Sequence, residues 1–177
     1  TTLKAQGGRF KNGHFGLEVT FARSLKNAGY NPAIFKYSLG STSIAKNWKG
    51  PGDGKMYDQM VKEFGQALSL LTKEGHKVNI RGFVWIQGES DAQTTAMAEA
   101  YKGGLKTLIG DLRKNVTKRS ELPVILGVDE QHGWVKKNIE PPNALERWIF
   151  FTSLRPALDE LGALQISSRK HLALLHI

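Results

Sequence analysis

Helical and strand-like patterns alternate along this chain, and that alternation limits its fold more than any other feature. Apolar residues in 16–28 have the spacing of an amphipathic helix that stops at Gly29, and 33–38 then predicts a short buried strand. Residues 57–73 repeat the helical spacing, and 78–86 predicts a second strand. This order predicts an α/β fold, with helices covering both faces of a parallel sheet.

The alternation continues into the second half of the chain. Residues 92–115 predict a third helix, interrupted at Gly103-Gly104, and residues 123–128 predict a third apolar strand. A weaker cycle predicts a helix over 144–161 and a strand over 163–167. Folds of this kind bind their ligands beyond the carboxyl ends of the strands.

Length and composition indicate one ordered domain over residues 1–177. The hydrophobic fraction of 40% is enough to form one core, and 177 residues are too few for two domains of ordinary size. The absence of cysteine excludes disulfides, thiolate catalysis and cysteine-ligated zinc. No stretch approaches the roughly 18 apolar residues that a membrane-spanning helix needs.

The formal net charge of +9 favours anionic partners in general. The excess of lysine and arginine is diffuse, with loose basic stretches only near residues 46–55 and 114–119. Neither stretch interleaves aromatic residues in a pattern that would stack bases. A solvated basic face is therefore favoured, and a nucleic-acid-binding module is the weakest of three functional hypotheses.

The strongest chemical signal follows the second predicted strand, in the sequence Gln87-Gly88-Glu89-Ser90-Asp91. Gln87 offers an amide donor to a developing oxyanion, and Glu89 or Asp91 could accept hydrogen bonds from helix amides or orient a histidine. The simpler interpretation is that Ser90 or Asp91 caps the next helix. Capping does not account for Gln87.

The string from Trp85 to Ala92 resembles the third conserved block of the sialate O-acetylesterase and acetylxylan esterase branch of the SGNH hydrolases. Residues 36–48 resemble another block of that family, a strand followed by Gly-Gly-Thr-Ser-Leu and a tryptophan. Ser41 stands where a second glycine is common. The resemblance extends over roughly residues 7–135.

The resemblance implies a flavodoxin-like, three-layer α/β/α fold with a parallel sheet. It also implies hydrolysis of O-acetyl esters on sugars or polysaccharides by a serine-esterase mechanism, without a cofactor. The family's oxyanion hole falls on the backbone amide of Gly40 and the side chain of Gln87. An extracellular or periplasmic location is favoured by the resemblance alone.

The nucleophile of the family is not found in this chain. Its serine belongs to a Gly-Gln-Ser-Asn block that would precede Gly7-Gly8 by some tens of residues. Ser41 and Ser43 are better explained as turn residues or as contacts to a phosphate-like anion. We therefore expect the first, central strand to be missing, and a second copy or a complementing segment to supply it.

The general base can be aligned in two ways. In one alignment, residues 173–176 stand for the family's Asp-x-x-His, which makes His176 the base without its aspartate and Glu89 the substitute that orients it. In the other, Phe150 takes the place of the histidine and the base is lost. The first alignment is preferred because it keeps a helix and a strand in the family's order.

Loss of nucleophile and base leads to the alternative hypothesis of a glycan-binding protein that no longer cuts its ligand. The four tryptophans could stack on a sugar, although Trp85 is expected in the core. His132 follows Asp129 and Glu130, but without a second histidine nearby a solvated loop is favoured over a metal site. No metal or cofactor is expected.

Overall fold

The computed structural model describes residues 16–127, 132–137 and 164–165. Its contacts divide the chain into two compact units, Thr1–Ser38 and Leu39–Ile177. The prediction of a single domain stays a prediction. Within the described residues, no helix combines the length and apolar character that crossing a membrane would require.

In the first unit, helix α1 spans Glu18–Asn27 and confirms the helical pattern. The helix ends before Gly29, whose φ of +87° lies in the left-handed region that favours glycine. Glu18 is buried and accepts hydrogen bonds from the Gly16 amide and Lys36 Nζ, both at 2.9 Å. Burial alone would raise the pKa of Glu18, but the Lys36 ammonium and the backbone amides lower it on balance.

The strand predicted over residues 33–38 is wrong. This segment has no regular secondary structure and is not among the strands of the sheet. Its side chains are not buried either, since Phe35 is 37% exposed. A strand needs a neighbour to complete its backbone hydrogen bonds, and no described segment pairs with this one.

The second unit alternates helices and strands after a long loop. Helix α2 (Met56–Lys73) precedes strand β1 (Phe83–Ile86), and a 3₁₀ turn (Asp91–Gln93) leads into helix α3 (Thr95–Asp111). One π turn (Leu112–Val116), strand β2 (Val124–Gly127), helix α4 (Gly133–Lys137) and strand β3 (Leu164–Gln165) follow. The helix predicted over 144–161 lies outside the described residues.

The strands form a parallel sheet in the order β1-β2-β3. Phe83 is in register with Val124, and Ile125 with Leu164, so consecutive strands are neighbours. The sheet and its intervening helices confirm the α/β fold class. Strand β1 begins five residues later than the predicted start at residue 78, because Pro123 has no N–H to extend the ladder.

Helix α3 runs without interruption through Gly103-Gly104, which corrects the predicted break. A Cβ atom at Gly104 would overlap the Cγ2 atom of Ile44, whereas one at Gly103 would meet nothing within 4 Å. Gly104 therefore allows the helix to approach the loop that contains Ile44. This close approach outweighs the low helix propensity of glycine.

The core of the second unit lies between the sheet and helix α3. Its fully buried side chains include Tyr101, Leu105, Leu108 and Ile109 on α3. Trp85 on β1 is also buried, which confirms its expected place in the core. Its indole makes an edge-to-face contact with Trp48, with ring centroids 5.0 Å apart and an interplanar angle of 82°.

Candidate functional site

Residues 39–48, called here the 39–48 loop, form an irregular segment that enters the core. Thr42, Ser43, Ile44 and Trp48 are all buried, although irregular segments usually run over the surface. The Thr42 hydroxyl donates to Leu39 O at 2.9 Å and accepts from Trp48 Nε1 at 3.0 Å. The loop is therefore tied together by its own side chains before it meets the sheet.

Ser41 and Ser43 have the turn roles expected of them. The Ser43 amide donates to Asn47 Oδ1 at 3.0 Å, and Ser43 Oγ accepts from the Lys46 amide at 3.2 Å. Ser41 adopts φ +61°, a left-handed conformation that glycine reaches without strain. This backbone requirement explains why a second glycine suits the position that Ser41 occupies.

Asp91 connects the 39–48 loop to the carboxyl end of β1. Its side chain is completely buried and accepts hydrogen bonds from three donors. Oδ2 accepts from the Ile44 amide at 2.9 Å and from Gln87 Nε2 at 2.7 Å, and Oδ1 accepts from the Ala45 amide at 3.1 Å. Three N–H donors suit an ionised carboxylate, which has acceptors only.

The electrostatic environment of Asp91 has opposing parts. Burial raises the pKa of its carboxyl group above the ordinary value, and the negative charge of Glu89 acts in the same direction. The hydrogen bonds from Gln87 and from the Ile44 and Ala45 amides act against burial by stabilising the charged form.

Neither Ser90 nor Asp91 caps helix α3, which corrects the capping interpretation. The N-cap is Thr94, whose side chain accepts from the Met97 amide at 3.3 Å. Ser90 precedes the 3₁₀ turn without a side-chain capping bond. Asp91 is available to the 39–48 loop because Thr94 occupies the cap.

Gln87 stands immediately after β1, with its side chain between the loop and Asp91. Nε2 donates to Thr42 O at 3.0 Å and to Asp91 Oδ2 at 2.7 Å, so both amide hydrogens are engaged. Oε1 is buried and has no hydrogen-bond partner in the described part of the chain. The reverse amide orientation would turn Oε1 toward two acceptors, so the contacts fix the orientation.

Two of the four predicted site residues, Gly40 and Gln87, lie on segments that a hydrogen bond joins. Gln87 is bonded to Thr42, two residues after Gly40 in the same loop. Gly40 is exposed, and a Cβ atom there would meet nothing within 4 Å, so open space surrounds this side of the residue. The roles of both residues stay predictions.

The remaining catalytic predictions concern the base. Glu89 is half-buried beside Asp91, and its backbone carbonyl accepts from the Ala92 amide at 3.2 Å. His176 and the alternative position Phe150 both lie outside the described residues. The proposed pairing of Glu89 with a histidine therefore stays a prediction.

Two contributors to the site were not singled out from the sequence. Thr42 supplies the carbonyl that holds Gln87, and Tyr101 donates its hydroxyl to Gln87 O at 2.6 Å. Tyr101 falls on the buried face of α3, together with Ala98 and Leu105. A tyrosine within an apolar helical stripe signals a buried hydroxyl that needs a partner, but not which one.

No group of three potential metal ligands occurs among residues 16–127, 132–137 and 164–165. His132 Nδ1 accepts from the Trp134 amide at 3.3 Å, and its ring lies 4.9 Å from the Trp134 ring. Asp129 and Glu130, the other members of the predicted acidic loop, lie outside the described residues. Trp134 is 40% exposed, and Trp148 is also outside them.

A model of the family described as carbohydrate esterase, sialic acid-specific acetylesterase, matches residues 2–145. The chain belongs to this family. The match includes the 39–48 loop and the Gln87 to Asp91 segment, and it confirms the resemblance drawn from those two blocks.

The fold is also similar to that of a protein from Arabidopsis thaliana studied by X-ray crystallography. The two chains are 23% identical with a TM-score of 0.58, and the match covers 93% of this chain. It covers 60% of the Arabidopsis protein, so this chain spans about three fifths of its length. A comparison with curated proteins finds no match.

Proposed function

We propose that this chain forms the oxyanion-binding part of an enzyme that hydrolyses O-acetyl esters on sugars or polysaccharides. The observation that carries the proposal is the buried Asp91 carboxylate, which binds Gln87 Nε2 and two amides of the 39–48 loop. It joins the two segments that the family's oxyanion hole requires. O-acetylated sialic acid and acetylated xylan are the two substrate classes to compare.

The two hydrogens of Gln87 Nε2 have different acceptors. The bond to the charged Asp91 is 2.7 Å long, whereas the bond to the neutral Thr42 carbonyl is 3.0 Å long. Charge-assisted bonds are the stronger class. Gln87 therefore keeps its bond to Asp91 and redirects to the oxyanion the N–H that donates to Thr42 O, because an oxyanion is a better acceptor than a neutral carbonyl.

The rest of the reaction follows serine-esterase chemistry. A serine oxygen attacks the acetyl carbonyl carbon, its proton passes to the base, and negative charge develops on the carbonyl oxygen near the Gly40 amide and Gln87. The C–O bond to the sugar breaks as the base protonates the sugar oxygen. Water then releases acetate from the serine. His176 is the proposed base, and Glu89 orients it.

The attacking serine is proposed to come from outside these 177 residues. Among the described strands, β1 pairs only with β2, so its other edge can receive a further strand. Such a strand would pair with the free backbone edge of β1, and the segment connected to it could cover Val84 and Ile86, which are exposed at 36% and 51% on one face of β1. A complementing segment or a second copy could supply the strand.

Esterase assays with Gln87→Ala test the proposal. Hydrolysis of p-nitrophenyl acetate should be measured with the 177-residue chain and with the product of its complete reading frame. In whichever of these two proteins hydrolyses the ester, loss of an oxyanion donor should lower kcat about 100-fold or more. Gln66→Ala, on the exposed face of α2, is the matched control and should retain activity. A folded full product without turnover would contradict the proposal.

A second candidate function is retention of an acetylated glycan without hydrolysis. The observation that favours it is the engagement of both Gln87 amide hydrogens within the chain, which leaves no hydrogen ready for an oxyanion in this conformation. Calorimetric titration with acetylated xylo-oligosaccharides or O-acetylated sialic acid tests it. Saturable binding without acetate release would support this function, and acetate release would reject it.

A further inference from the structure

Tyr101 joins helix α3 to the strand end that carries Gln87. Its side chain is only 2% exposed. The hydroxyl oxygen lies 2.6 Å from Gln87 O and 3.2 Å from Trp85 Nε1. The same hydroxyl therefore contacts two residues of one segment, one on β1 and one just beyond it.

The direction of these two hydrogen bonds is fixed by chemistry. An indole N–H can only donate, so the Tyr101 oxygen accepts from Trp85. A backbone carbonyl can only accept, so the hydroxyl hydrogen points to Gln87 O. Trp85 therefore donates to Tyr101, and Tyr101 donates to Gln87.

This hydroxyl keeps its proton across the physiological pH range. Burial raises the pKa of Tyr101 well above its ordinary value of 10, and the negative charges of Asp91 and Glu89 act in the same direction. The hydrogen bond from Trp85 opposes these effects without cancelling them. Donation to Gln87 O is therefore a constant feature of the folded chain.

Gln87 is consequently held by its backbone on both sides. Its amide donates to Gly127 O at 3.2 Å, and its carbonyl accepts from Tyr101 at 2.6 Å. Fixing both groups fixes the direction in which the side chain leaves the backbone. Asp91 and Thr42 then fix the amide at the other end.

We propose that Tyr101 is a positioning residue that sets the placement of the Gln87 amide for the reaction. The inference rests on the proposed role of Gln87 in binding the oxyanion. Tyr101 itself does not touch the substrate. It acts through the Gln87 backbone, because a displaced carbonyl would move the side chain away from Thr42 and Asp91, and misplacement of a reacting group costs rate.

The test compares Tyr101→Phe with Tyr57→Phe. Tyr57 is also fully buried and also donates a 2.6 Å hydrogen bond, but to Asp111 Oδ2. Both variants should lower Tm, because Tyr101→Phe loses the bonds to Gln87 O and from Trp85 Nε1, and Tyr57→Phe loses the bond to the Asp111 carboxylate. In a protein that hydrolyses the ester, only Tyr101→Phe should lower kcat, by about 10- to 100-fold with KM nearly unchanged.

A second readout does not depend on turnover. In ¹⁵N-resolved NMR spectra of the 177-residue chain, the side-chain NH₂ signals of Gln87 are assigned by their loss in Gln87→Ala. Tyr101→Phe should shift both of these signals, and Tyr57→Phe should leave them in place. Equal behaviour of the two phenylalanine variants would overturn the inference.

The outcomes separate this inference from the proposed function. Shifted Gln87 signals in a folded product without turnover would reject the esterase proposal and keep the positioning role. Ester hydrolysis that depends on Gln87 but not on Tyr101 would support the esterase proposal and reject the positioning role. The kcat loss of Tyr101→Phe should also vanish in a Gln87→Ala background, because Tyr101 acts through Gln87.

Discussion

Asp91 accepts hydrogen bonds from residues that are distant in the sequence. The Ile44 and Ala45 amides precede it by 47 and 46 residues, whereas Gln87 precedes it by four. Its removal would leave three buried or half-buried donors without their acceptor, which is costlier than losing an exposed bond. At the residue scale, Asp91 connects the 39–48 loop to the sheet.

Asp91→Asn should therefore lower the free energy of unfolding by about 3 kcal/mol, because the charge is lost and the NH₂ group that replaces one carboxylate oxygen faces an N–H donor. Asp58→Asn is the matched control, since Asp58 also accepts from backbone amides, those of Gly52 and Gly54. These bonds are exposed, so we expect a loss of only about 1 kcal/mol. Urea unfolding measures both values, and equal losses would contradict the special role of Asp91.

Ser41 is a second residue whose effect belongs to this scale. Its φ of +61° costs a non-glycine residue about 1 kcal/mol. Ser41→Gly should raise the free energy of unfolding by about 0.5 kcal/mol, after the added flexibility of the unfolded chain is subtracted. Ser69→Gly in the middle of α2 should instead destabilise by about 0.5 kcal/mol. Thermal unfolding of both variants checks the difference in sign.

At the scale of elements, helices α1 and α2 and strand β2 could be predicted because periodicity reports burial directly. Strand β3 lies within the predicted range 163–167. The strand over 33–38 failed because an apolar run does not show whether a partner is present. The unbroken α3 was missed because the reason for Gly104 lies in Ile44, about 60 residues earlier in the chain.

Only part of the candidate site could likewise be predicted from the sequence. The Gln87 block and the Gly40 segment could be found from their sequence patterns. The hydrogen bonds between them could not, since the same carboxylate at Asp91 could cap a helix or bind a distant loop. Thr94 caps helix α3, so Asp91 binds the loop instead. Only the three-dimensional structure shows this arrangement.

Gly104→Ala tests the approach of α3 to the 39–48 loop. The added methyl group would overlap Ile44, so the variant should lose about 2 kcal/mol of stability despite alanine's better helix propensity. Gly103→Ala, one residue away and open to solvent, should gain up to about 1 kcal/mol. Chemical denaturation of the pair measures the effect, and a stabilising Gly104→Ala would exclude the close contact.

At the scale of the whole molecule, acid acts in opposite directions on the buried carboxylates of the two units. The pKa of Glu18 is lowered, so its contribution to stability is present above its ordinary pKa and is lost as the pH falls through the folded value. The pKa of Asp91 is raised, so its ionisation weakens folding as the pH rises through the range above 3.8. The dependence of the free energy of unfolding on pH includes both contributions, which have opposite signs.

Lys36→Gln should separate the first of these effects. Without the ammonium 2.9 Å from Glu18 Oε1, burial should dominate and the pKa of Glu18 should rise above its present lowered value. Carboxyl ¹³C NMR titration measures this shift. Lys26→Gln, an exposed position at the end of α1, should leave the titration unchanged. An unchanged Glu18 titration in Lys36→Gln would show that the ion pair does not control it.

The perpendicular indoles of Trp48 and Trp85 provide an optical label that is already part of the molecule. The intense far-ultraviolet transitions of two indoles whose centroids are 5.0 Å apart couple, so the pair should produce an exciton couplet in the far-ultraviolet circular dichroism spectrum, seen as the difference from Trp48→Phe. Trp48 belongs to the 39–48 loop and Trp85 to the sheet. The couplet therefore reports whether the loop is seated against the sheet, in any variant and without an added chromophore.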